Sequence, residues 1–412
     1  TTTPSMRRVR EGNAKTLGAT PLPATMETTP AFAGFACVAC GERTDDPGRC
    51  PACGGAIAPA FDADALDLSR SALADRRFDG LGRYRDLLAV PVEDGAGVGT
   101  TPLVDCPSVA DELGVAGVHL KDEGHNPTGS VADRDAALVV AALDDDADIA
   151  LASTGDDGQA FAAAAARAGI GAHVFVPSRA GHTQKSMINV HGGDMHVVEG
   201  RLPDAEAACR DRAPEDWRGV GPGETGLRPE ARTTVAFELA EQRDWTLPDA
   251  VVVPAGHGLS VVGLHEGFRR LRALGFVEDV PRLYAAQAEG CAPIVAAANA
   301  GEETVAPVES PDTICGGIEV SNPALGDRAL AAVDASGGGV VATDDPAILD
   351  AAVALAGQGV EMSPSAAAAA SGAWALAERG DIGADDEVVL LNTGAGNKDA
   401  DVLRSHLMGQ GL

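Results

Sequence analysis

Residues 121–134 read KDEGHNPTGSVADR, and this stretch decides the fold more than any other part of the chain. It follows the apolar run Val118-His-Leu120 and precedes an alanine-rich segment, so it predicts a turn from a strand into a helix. From about residue 99 onward, apolar β-type runs alternate with alanine-rich helical patterns in the same way. The alternation predicts repeated βα units and parallel sheets, which bind ligands at the carboxyl ends of their strands.

Three more loops follow predicted strands and carry polar or glycine-rich sequences. They read STGDDG at 153–158, PAGHGLS at 254–260 and NTGAGNKD at 392–399. The second loop places Gly256 and Gly258 before a predicted helix, where backbone N–H groups can bind an anion. A Gly-x-Gly pair by itself more often marks a tight turn, and His257 is either a further donor or a solvated loop residue.

Together the four loops resemble, in order and spacing, the pyridoxal-phosphate (PLP) enzymes of the tryptophan-synthase-β type and, within them, the threonine synthases. The motifs of that family are K-x-E-x-x-N-P-T-G-S-F-K-D-R, S-x-G-N, a glycine-rich phosphate loop and T-G-x-G-x-K-D. The likeness runs from about Gly99 to Asp399. It implies two parallel-sheet α/β domains with a ligand cleft between them, and a family reaction that converts O-phosphohomoserine and water to threonine and phosphate.

The resemblance implies roles for individual residues. Thr393 matches the residue that meets the pyridine nitrogen of the cofactor, and Arg228 aligns with a ligand of the substrate phosphate. An arginine near a helix start is at least as often a member of a surface ion pair, so both interpretations of Arg228 stay open. The implied cofactor-binding residues are Asp156, Gly256, His257, Gly258, Leu259 and Thr393, and the implied substrate-binding residues are Ser130, Ser153, Thr154 and Arg228.

The sequence departs from the family at the residue that would hold the cofactor covalently. The Schiff-base lysine of the family stands two residues after the motif serine, and that position is Ala132 here. A methyl group can neither bond PLP nor shuttle protons. Lysine occurs only at positions 15, 121, 185 and 398; the last three match other lysine positions of the family, and the first lies in the N-terminal tail. We therefore expect PLP binding, if any, to be non-covalent.

Two further departures fall in the same predicted cleft. The asparagine of S-x-G-N, which donates to the phenolic oxygen of the cofactor in the family, is Asp156 here, and an ionised carboxylate offers no donor. Aspartate is also favoured at helix N-termini by the helix dipole, so the change either alters the site or reflects an acidic surface. Where the family has Gly-x-Lys-Thr, residues 231–234 read ARTT, which replaces or displaces a cation near the substrate phosphate.

A paired cysteine motif precedes the βα region. Cys37 and Cys40 form one C-x-x-C knuckle, Cys50 and Cys53 form a second, and a glycine follows each knuckle. Four thiolates at this spacing suit a tetrahedral Zn²⁺ ion, and four protein ligands leave no open position for a substrate. A disulfide pair or unbound thiols are the alternatives, which a reducing compartment disfavours. The motif therefore predicts a structural zinc ribbon.

Composition excludes two classes of partner. The 412 residues include 61 Asp and Glu against 31 Lys and Arg, and the net charge of −30 repels nucleic acid. No apolar run approaches the roughly 20 residues that span a bilayer, and residues 1–30 do not resemble a secretory signal, so we expect a cytoplasmic protein. The acidic, lysine-poor composition is typical of a salt-adapted cytoplasm.

These patterns together predict a division of the chain and a function. We expect a threonine-synthase-like protein that is catalytically impaired or inactive, with structural zinc and at most non-covalent PLP. It would act as a binding or regulatory paralogue, as a homodimer or as a heteromer with an intact paralogue, and would bind a small amino-acid or phosphate ligand. The alternative is an active PLP-dependent lyase that uses a lysine-independent route. The predicted segments are a flexible extension at 1–30, the zinc ribbon at 31–60, a helical connection at 61–98, and α/β domains at 99–225 and 226–412.

Overall fold

The computed structural model describes residues 28–92, 97–143 and 147–409. Most of the extension predicted for residues 1–30, with Lys15, lies outside the described residues. The strands are β1 (Phe32–Cys37), β2 (Arg43–Thr44), β3 (Ile57–Phe61), β4 (Leu103–Asp105), β5 (Gly117–Asp122), β6 (Ile149–Ala152), β7 (Ala172–Pro177), β8 (Asp194–Val198), β9 (Arg218–Gly219), β10 (Ala250–Pro254), β11 (Arg282–Ala288), β12 (Gly339–Thr343) and β13 (Glu387–Asn392). The α-helices are α1 (Arg70–Ala74), α2 (Pro107–Leu113), α3 (Ala132–Ala141), α4 (Asp156–Ala168), α5 (His182–Val190), α6 (Leu202–Arg212), α7 (Leu227–Gln242), α8 (Leu259–Ala273), α9 (Pro293–Ala300), α10 (Gly326–Ala335), α11 (Asp345–Ala356), α12 (Pro364–Arg379) and α13 (Ala400–Gly409).

Two of the sheets are built mainly from βα units. A four-stranded parallel sheet has the order β8-β7-β6-β9, and a six-stranded sheet has the order β12-β11-β10-β13-β5-β4, in which only β4 runs antiparallel. The prediction of an α/β fold with parallel sheets is confirmed. The larger sheet takes β4 and β5 from the segment before residue 226, so the predicted boundary between 225 and 226 divides the chain but does not divide this sheet.

A third, smaller sheet lies at the N-terminal end of the described residues. Its strands β2, β1 and β3 pair antiparallel in that order, and Phe35 on β1 is fully buried. This sheet carries the first cysteine knuckle at the end of β1, as the zinc-ribbon prediction requires. It packs against α7 through β3, so the cysteine motif is joined to the central helix of the molecule.

Helix α7 forms the centre of the protein. Every residue from Leu227 to Ala240 is buried, including two arginines, two glutamates and two threonines. These polar side chains must therefore find partners inside the protein. Helix α8 lies beside it and begins at the glycine loop 254–258. Among the helices described here, none is both long and apolar enough to cross a membrane.

Candidate functional site

The four cysteines of the paired motif lie together. The Sγ atoms of Cys37 and Cys53 are 3.6 Å apart, and the Sγ atom of Cys40 is 3.6 Å from those of both Cys50 and Cys53. All four sulfurs lie within 4.8 Å of one another. A tetrahedral ion with Zn–S bonds of about 2.3 Å separates its sulfur ligands by about 3.8 Å, so this arrangement fits Zn²⁺.

The backbone of each knuckle closes a turn after its pair of cysteines. The N–H of Gly41 donates to the carbonyl of Cys37, and the N–H of Gly54 donates to that of Cys50, which closes the turn after each pair. Backbone hydrogen bonding from Cys40 lowers the pKa of the Cys37 thiol to about 6, which favours its thiolate form, whereas contacts with the neighbouring thiols raise the pKa of Cys40 to about 12 and also raise that of Cys53. None of the eight cysteines, all within the described residues, forms a disulfide.

The first and last loops of the predicted cleft meet directly. Ser130 and Gly394 form an isolated antiparallel bridge, the N–H of Val131 donates to the carbonyl of Thr393 at 3.0 Å, and the N–H of Ala395 donates to that of Gly129 at 3.0 Å. The contact follows from the sheet order, because β5 and β13 are parallel neighbours that end at Asp122 and Asn392. Thr393 and the KDEGHNPTGSVADR loop therefore share one edge of the larger sheet.

The loop 153–158 comes to the same place from the smaller sheet. The Oγ of Ser153 accepts hydrogen bonds from the N–H groups of Gly155 and Gly158, both at 2.9 Å, which fixes the turn into α4. Asp156 begins α4, and its carboxylate accepts a hydrogen bond from Lys398 Nζ at 2.8 Å. A Cβ added at Gly394 would lie 3.3 Å from the Asp156 carboxylate, so the two loops are in contact.

The glycine loop has the form of an anion cradle. Gly258 has a φ of +88°, and a Cβ at this position would lie 2.9 Å from the Cβ of Ala329. A Cβ at Gly256 would lie 3.1 Å from the carbonyl oxygen of Gly317. Close approach leaves no room for a Cβ at Gly258 and little room at Gly256. The loop leads into the first turn of α8, whose N–H groups have no acceptor within the helix. This geometry fits a phosphate group.

Buried ion pairs lie beside the glycine loop. Arg232 Nη1 donates to the Oγ of Ser260 in the first turn of α8 at 2.7 Å, and Arg232 also pairs with Asp135. Arg228 is fully buried and pairs with Asp135 and Asp157. Its predicted role as a phosphate ligand stays a prediction, and a phosphate would have to compete with both carboxylates for the guanidinium.

Electrostatics in this cluster shift two pKa values. Burial, opposed by the charge of Asp157 and assisted by Arg228 and Arg232, lowers the pKa of His257 to about 4. Burial would raise the pKa of Asp157, but the two arginines outweigh burial and hold that pKa below its ordinary value. His257 is thus neutral at pH 7 and is held against the neighbouring loop, where it accepts from the N–H of Ala324 through Nδ1 at 3.4 Å. The His257 side chain is half-buried, so the choice between a further donor to an anion and a solvated loop histidine stays open.

A second cluster of buried ion pairs connects the loop 121–134 to helix α7. Arg134 is fully buried and pairs with Glu123 at 2.6 Å and with Glu238 of α7 at 2.7 Å. Lys121 Nζ lies 2.7 Å from the same Glu238. Burial alone would raise the pKa of Glu238, but Arg134 and Lys121 lower it well below its ordinary range. These contacts anchor both ends of the loop to α7.

Ala132 lies inside the converged loops. It is the first residue of α3, is 1% exposed, and its N–H donates to the Oγ of Ser130 at 3.2 Å. Its side chain is a methyl group in a buried apolar cluster, and the N–H of the preceding residue, Val131, donates to the carbonyl of Thr393. The described residues therefore fit the phosphate of the implied cofactor, but position 132 offers no amine for covalent attachment.

The three described lysines have different surroundings. Lys121 Nζ is held by Glu238, and Lys185 Nζ donates to the carbonyl of Ser178 at 2.8 Å. Lys398 is the described lysine whose amine reaches the converged loops, through its contact with Asp156. The sequence pattern identified Lys398 and Asp156 separately but gave no sign of their pairing, and it did not identify Asp135, Arg232 or Ser260 as parts of the site.

Comparisons with known proteins place these features in a family. A family model for pyridoxal-phosphate-dependent enzymes matches residues 96–394. The chain is 32% identical over 371 residues to a threonine synthase of Methanosarcina acetivorans, which covers 88% of this chain and 91% of that protein. It is 31% identical over 380 residues to a threonine synthase of Methanocaldococcus jannaschii, which covers 89% of this chain and 93% of that protein.

Solved structures show the same fold. Threonine deaminase isoform 2 from Solanum lycopersicum, in its processed form, superposes with a TM-score of 0.64 at 20% identity, over 74% of this chain and 82% of that chain. Maize serine racemase superposes with a TM-score of 0.62 at 22% identity, over 76% of this chain and 94% of that chain. These two likenesses concern the fold alone, whereas the family match and the sequence relatives concern descent. The chain therefore belongs to the pyridoxal-phosphate-dependent enzyme family and, within it, is threonine-synthase-like.

Proposed function

We propose that this threonine-synthase-like protein binds PLP and an amino-acid or phosphate ligand without covalent attachment of the cofactor, and that its catalysis is impaired or absent. It would act as a binding or regulatory paralogue. Ala132 supports the proposal most directly: it aligns with the Schiff-base lysine of the family motif, and this buried first residue of α3 offers only a methyl group.

The remaining residues keep binding functions in this proposal. PLP, when bound, supplies an electron sink for reactions of amino acids. The N–H groups at Gly258 and Leu259 would bind the phosphate of the cofactor, and Thr393 would face its ring nitrogen. Loss of the lysine leaves these contacts in place and removes the amine that moves protons in the family. The residues proposed to hold the small-molecule ligand are Ser130, Ser153, Thr154 and Arg228.

The surroundings of Asp156 are compatible with an anionic ligand nearby. Its carboxylate pairs with Lys398 Nζ at 2.8 Å, and the Lys398 side chain is 8% exposed. The negative charge that Asp156 brings to the cleft is therefore balanced by a partly buried cation. Asp156 would weaken the contact to the phenolic oxygen of PLP, because it has no N–H to donate, without adding an uncompensated charge.

The zinc site and the assembly belong to the same proposal. Cys37, Cys40, Cys50 and Cys53 would bind one structural Zn²⁺ ion, since four sulfur ligands leave no open position for a substrate. A homodimer, or a heteromer with an intact threonine synthase subunit, stays a prediction from the family resemblance. Location in a salt-rich cytoplasm also stays a prediction, from the net charge of −30 and the scarcity of lysine.

Binding and catalysis can be tested separately. We expect calorimetry of the purified full chain to detect reversible PLP binding, and an assay with O-phosphohomoserine to detect little or no threonine relative to the Methanosarcina acetivorans enzyme. Gly258→Ala should abolish PLP binding, because a Cβ there meets Ala329 and the φ of +88° disfavours it. Gly301→Ala is the matched control, because its φ is +68° but a Cβ there has no neighbour within 4 Å. Threonine formation at a rate similar to that of the relative would contradict the proposal.

An active lyase that uses a lysine-independent route stays the alternative predicted from the sequence. The structure adds a second candidate, an active lyase that uses Lys398 in place of residue 132, because Lys398 is the described lysine whose amine contacts the converged loops. Lys398→Arg keeps the charge beside Asp156 and removes the nucleophilic amine. If the parent forms threonine and is labelled by PLP after borohydride reduction, and Lys398→Arg loses both properties, the active enzyme is supported. If the parent is inactive and Lys398→Arg does not differ from it, the binding protein is supported.

A further inference from the structure

Three potential metal ligands lie toward the N-terminal ends of two strands in the four-stranded sheet. His173 is near the start of β7, and Asp194 and His196 are on the neighbouring strand β8. His173 pairs with Asp194 in the parallel register, and residues two apart on a strand face the same side. The three side chains therefore share one face. Ser153 of the cleft follows the carboxyl end of β6, at the opposite edge of the sheet.

The ligand atoms point toward one carboxylate oxygen. The Oδ2 atom of Asp194 lies 3.4 Å from His173 Nδ1 and 3.4 Å from His196 Nε2, and the three groups offer ligand atoms within 4.8 Å of one another. Both imidazole nitrogens are buried without a hydrogen-bond partner in the described part of the chain. These separations are long for hydrogen bonds. They match the spacing of about 3.3 Å between ligands of a tetrahedral ion with bonds of about 2.05 Å.

The surroundings orient the imidazole rings as in a metal site. The other ring nitrogen of His173, Nε2, lies 3.3 Å from Asp148 Oδ2, and the second oxygen of Asp148 accepts from the N–H of Gly171 at 2.8 Å. A carboxylate on the distal nitrogen of a ligating histidine fixes the tautomer that directs the near nitrogen at the metal. Trp217 stacks on His173 with ring centroids 3.3 Å apart and planes 8° apart, which limits rotation of the ring.

We propose that His173 Nδ1, His196 Nε2 and a carboxylate oxygen of Asp194 bind a divalent cation of the Zn²⁺ type, with water completing the coordination. Two imidazoles and one carboxylate are a ligand set that Zn²⁺ takes in proteins. The Asp194 side chain is 64% exposed, which gives the ion a path from solvent. The site is separate from the cysteine cluster and from the cofactor cleft, and it does not rest on the proposed function. Its position across β7 and β8 indicates that the ion joins the edge strand β8 to the sheet.

Metal analysis of the full chain tests this site. After equilibration with Zn²⁺ and removal of free ion, we expect two zinc ions per chain in the parent and one in His196→Gln. Asp194→Asn should also reduce the zinc content to one ion per chain. Because Asp194 is exposed, this variant should fold even if His196→Gln does not, and it then tests the site by itself. His119→Gln is the matched control, since both nitrogens of this strand histidine already contact carboxylates, at 2.7 and 2.8 Å from Asp105 and Glu387.

A second readout reports on the same place. Ni²⁺ bound at His173 should quench the fluorescence of the stacked Trp217, and Trp217→Phe should remove that quenching. Asp148→Asn should weaken Zn²⁺ binding by about 10- to 100-fold, as expected for a group that orients a ligand. One zinc ion per chain in the parent, or two in both His196→Gln and Asp194→Asn, would overturn the proposal. An equal loss in His119→Gln would also overturn it.

Discussion

The cysteine cluster and the cofactor cleft are built in opposite ways. The cluster consists of four side chains whose sulfurs lie within 4.8 Å of one another, and its existence could be read from the spacing of the cysteines. The proposed cleft combines a backbone cradle at Gly256 and Gly258 with a few side chains, and Ala132 occupies the position that we propose for the missing Schiff-base lysine. A site made of side chains fails when one ligand is lost. A backbone cradle survives substitution elsewhere, so binding can outlast catalysis.

The largest effect is expected at the cysteine cluster. Cys50→Ser should remove most of the bound zinc and unfold the sheet of β1, β2 and β3, because structural zinc sites contribute apparent binding free energies of about 10–16 kcal/mol. Zinc content and hydrogen exchange of residues 32–61 would measure the change. Cys106→Ser, at a buried cysteine outside the cluster, should retain the zinc. Full zinc occupancy in Cys50→Ser would mean that the cluster is not a four-ligand site.

The next largest effect concerns the supports of the cleft. Glu238→Gln leaves the buried cations Arg134 and Lys121 without their shared carboxylate, and this should lower the free energy of unfolding by about 3–5 kcal/mol. Denaturant titration measures the loss. Glu266→Gln is the control, because Glu266 pairs with Arg269 at the surface and such pairs contribute about 0–1 kcal/mol. Similar losses of unfolding free energy in the two variants would show that the buried cluster of Glu238, Arg134 and Lys121 stabilises the protein no more than a surface ion pair does.

A smaller effect is expected from the neutral histidine of the cradle. The pKa of His257 is lowered from 6.5 to about 4 in the folded protein, so the unfolded chain binds an extra proton between these pH values. The free energy of unfolding should therefore fall as the pH drops from about 6.5 to about 4, by roughly 2 kcal/mol. His257→Gln should flatten this slope, and the exposed His182→Gln should leave it unchanged. Equal slopes in the parent and in His257→Gln would show that His257 is not held neutral.

The smallest effect is the salt dependence of thermal stability. It arises from the charge of the whole surface, so it does not distinguish the cysteine cluster from the proposed cleft. A net charge of −30 repels itself more strongly when the Debye length grows from about 3 Å at 1 M salt to about 30 Å at 0.01 M. We expect the melting temperature to fall as salt is removed, with the zinc-loaded cysteine cluster retaining its metal throughout. Thermal melts in a salt series check this. A melting temperature that does not change between those concentrations would remove the interpretation of salt adaptation.

The sequence predicted the elements well and their distant contacts poorly. The strands predicted before the four loops correspond to β5, β6, β10 and β13, because hydrophobic periodicity is a local signal. The pairing of Lys398 with Asp156 joins residues 242 positions apart, and the pairing of Arg228 with Asp135 joins residues 93 apart. Such contacts depend on sheet order and on how α7 packs against α3 and α8, which no local pattern specifies. The membership of β4 and β5 in the larger sheet was missed for the same reason.

Ala132 is the residue that, in our proposal, prevents covalent attachment of PLP to this chain. The most direct measurement adds PLP to the folded parent, Ala132→Lys and Ala132→Lys/Asp156→Asn, reduces each with borohydride, and locates the labelled residue by peptide mass spectrometry. We predict no label in the parent, partial label at residue 132 in the single variant, and fuller label there in the double variant, because Asp156→Asn restores a donor. Stoichiometric label on the parent, at Lys398 or elsewhere, or a folded double variant without label at residue 132, would contradict the account.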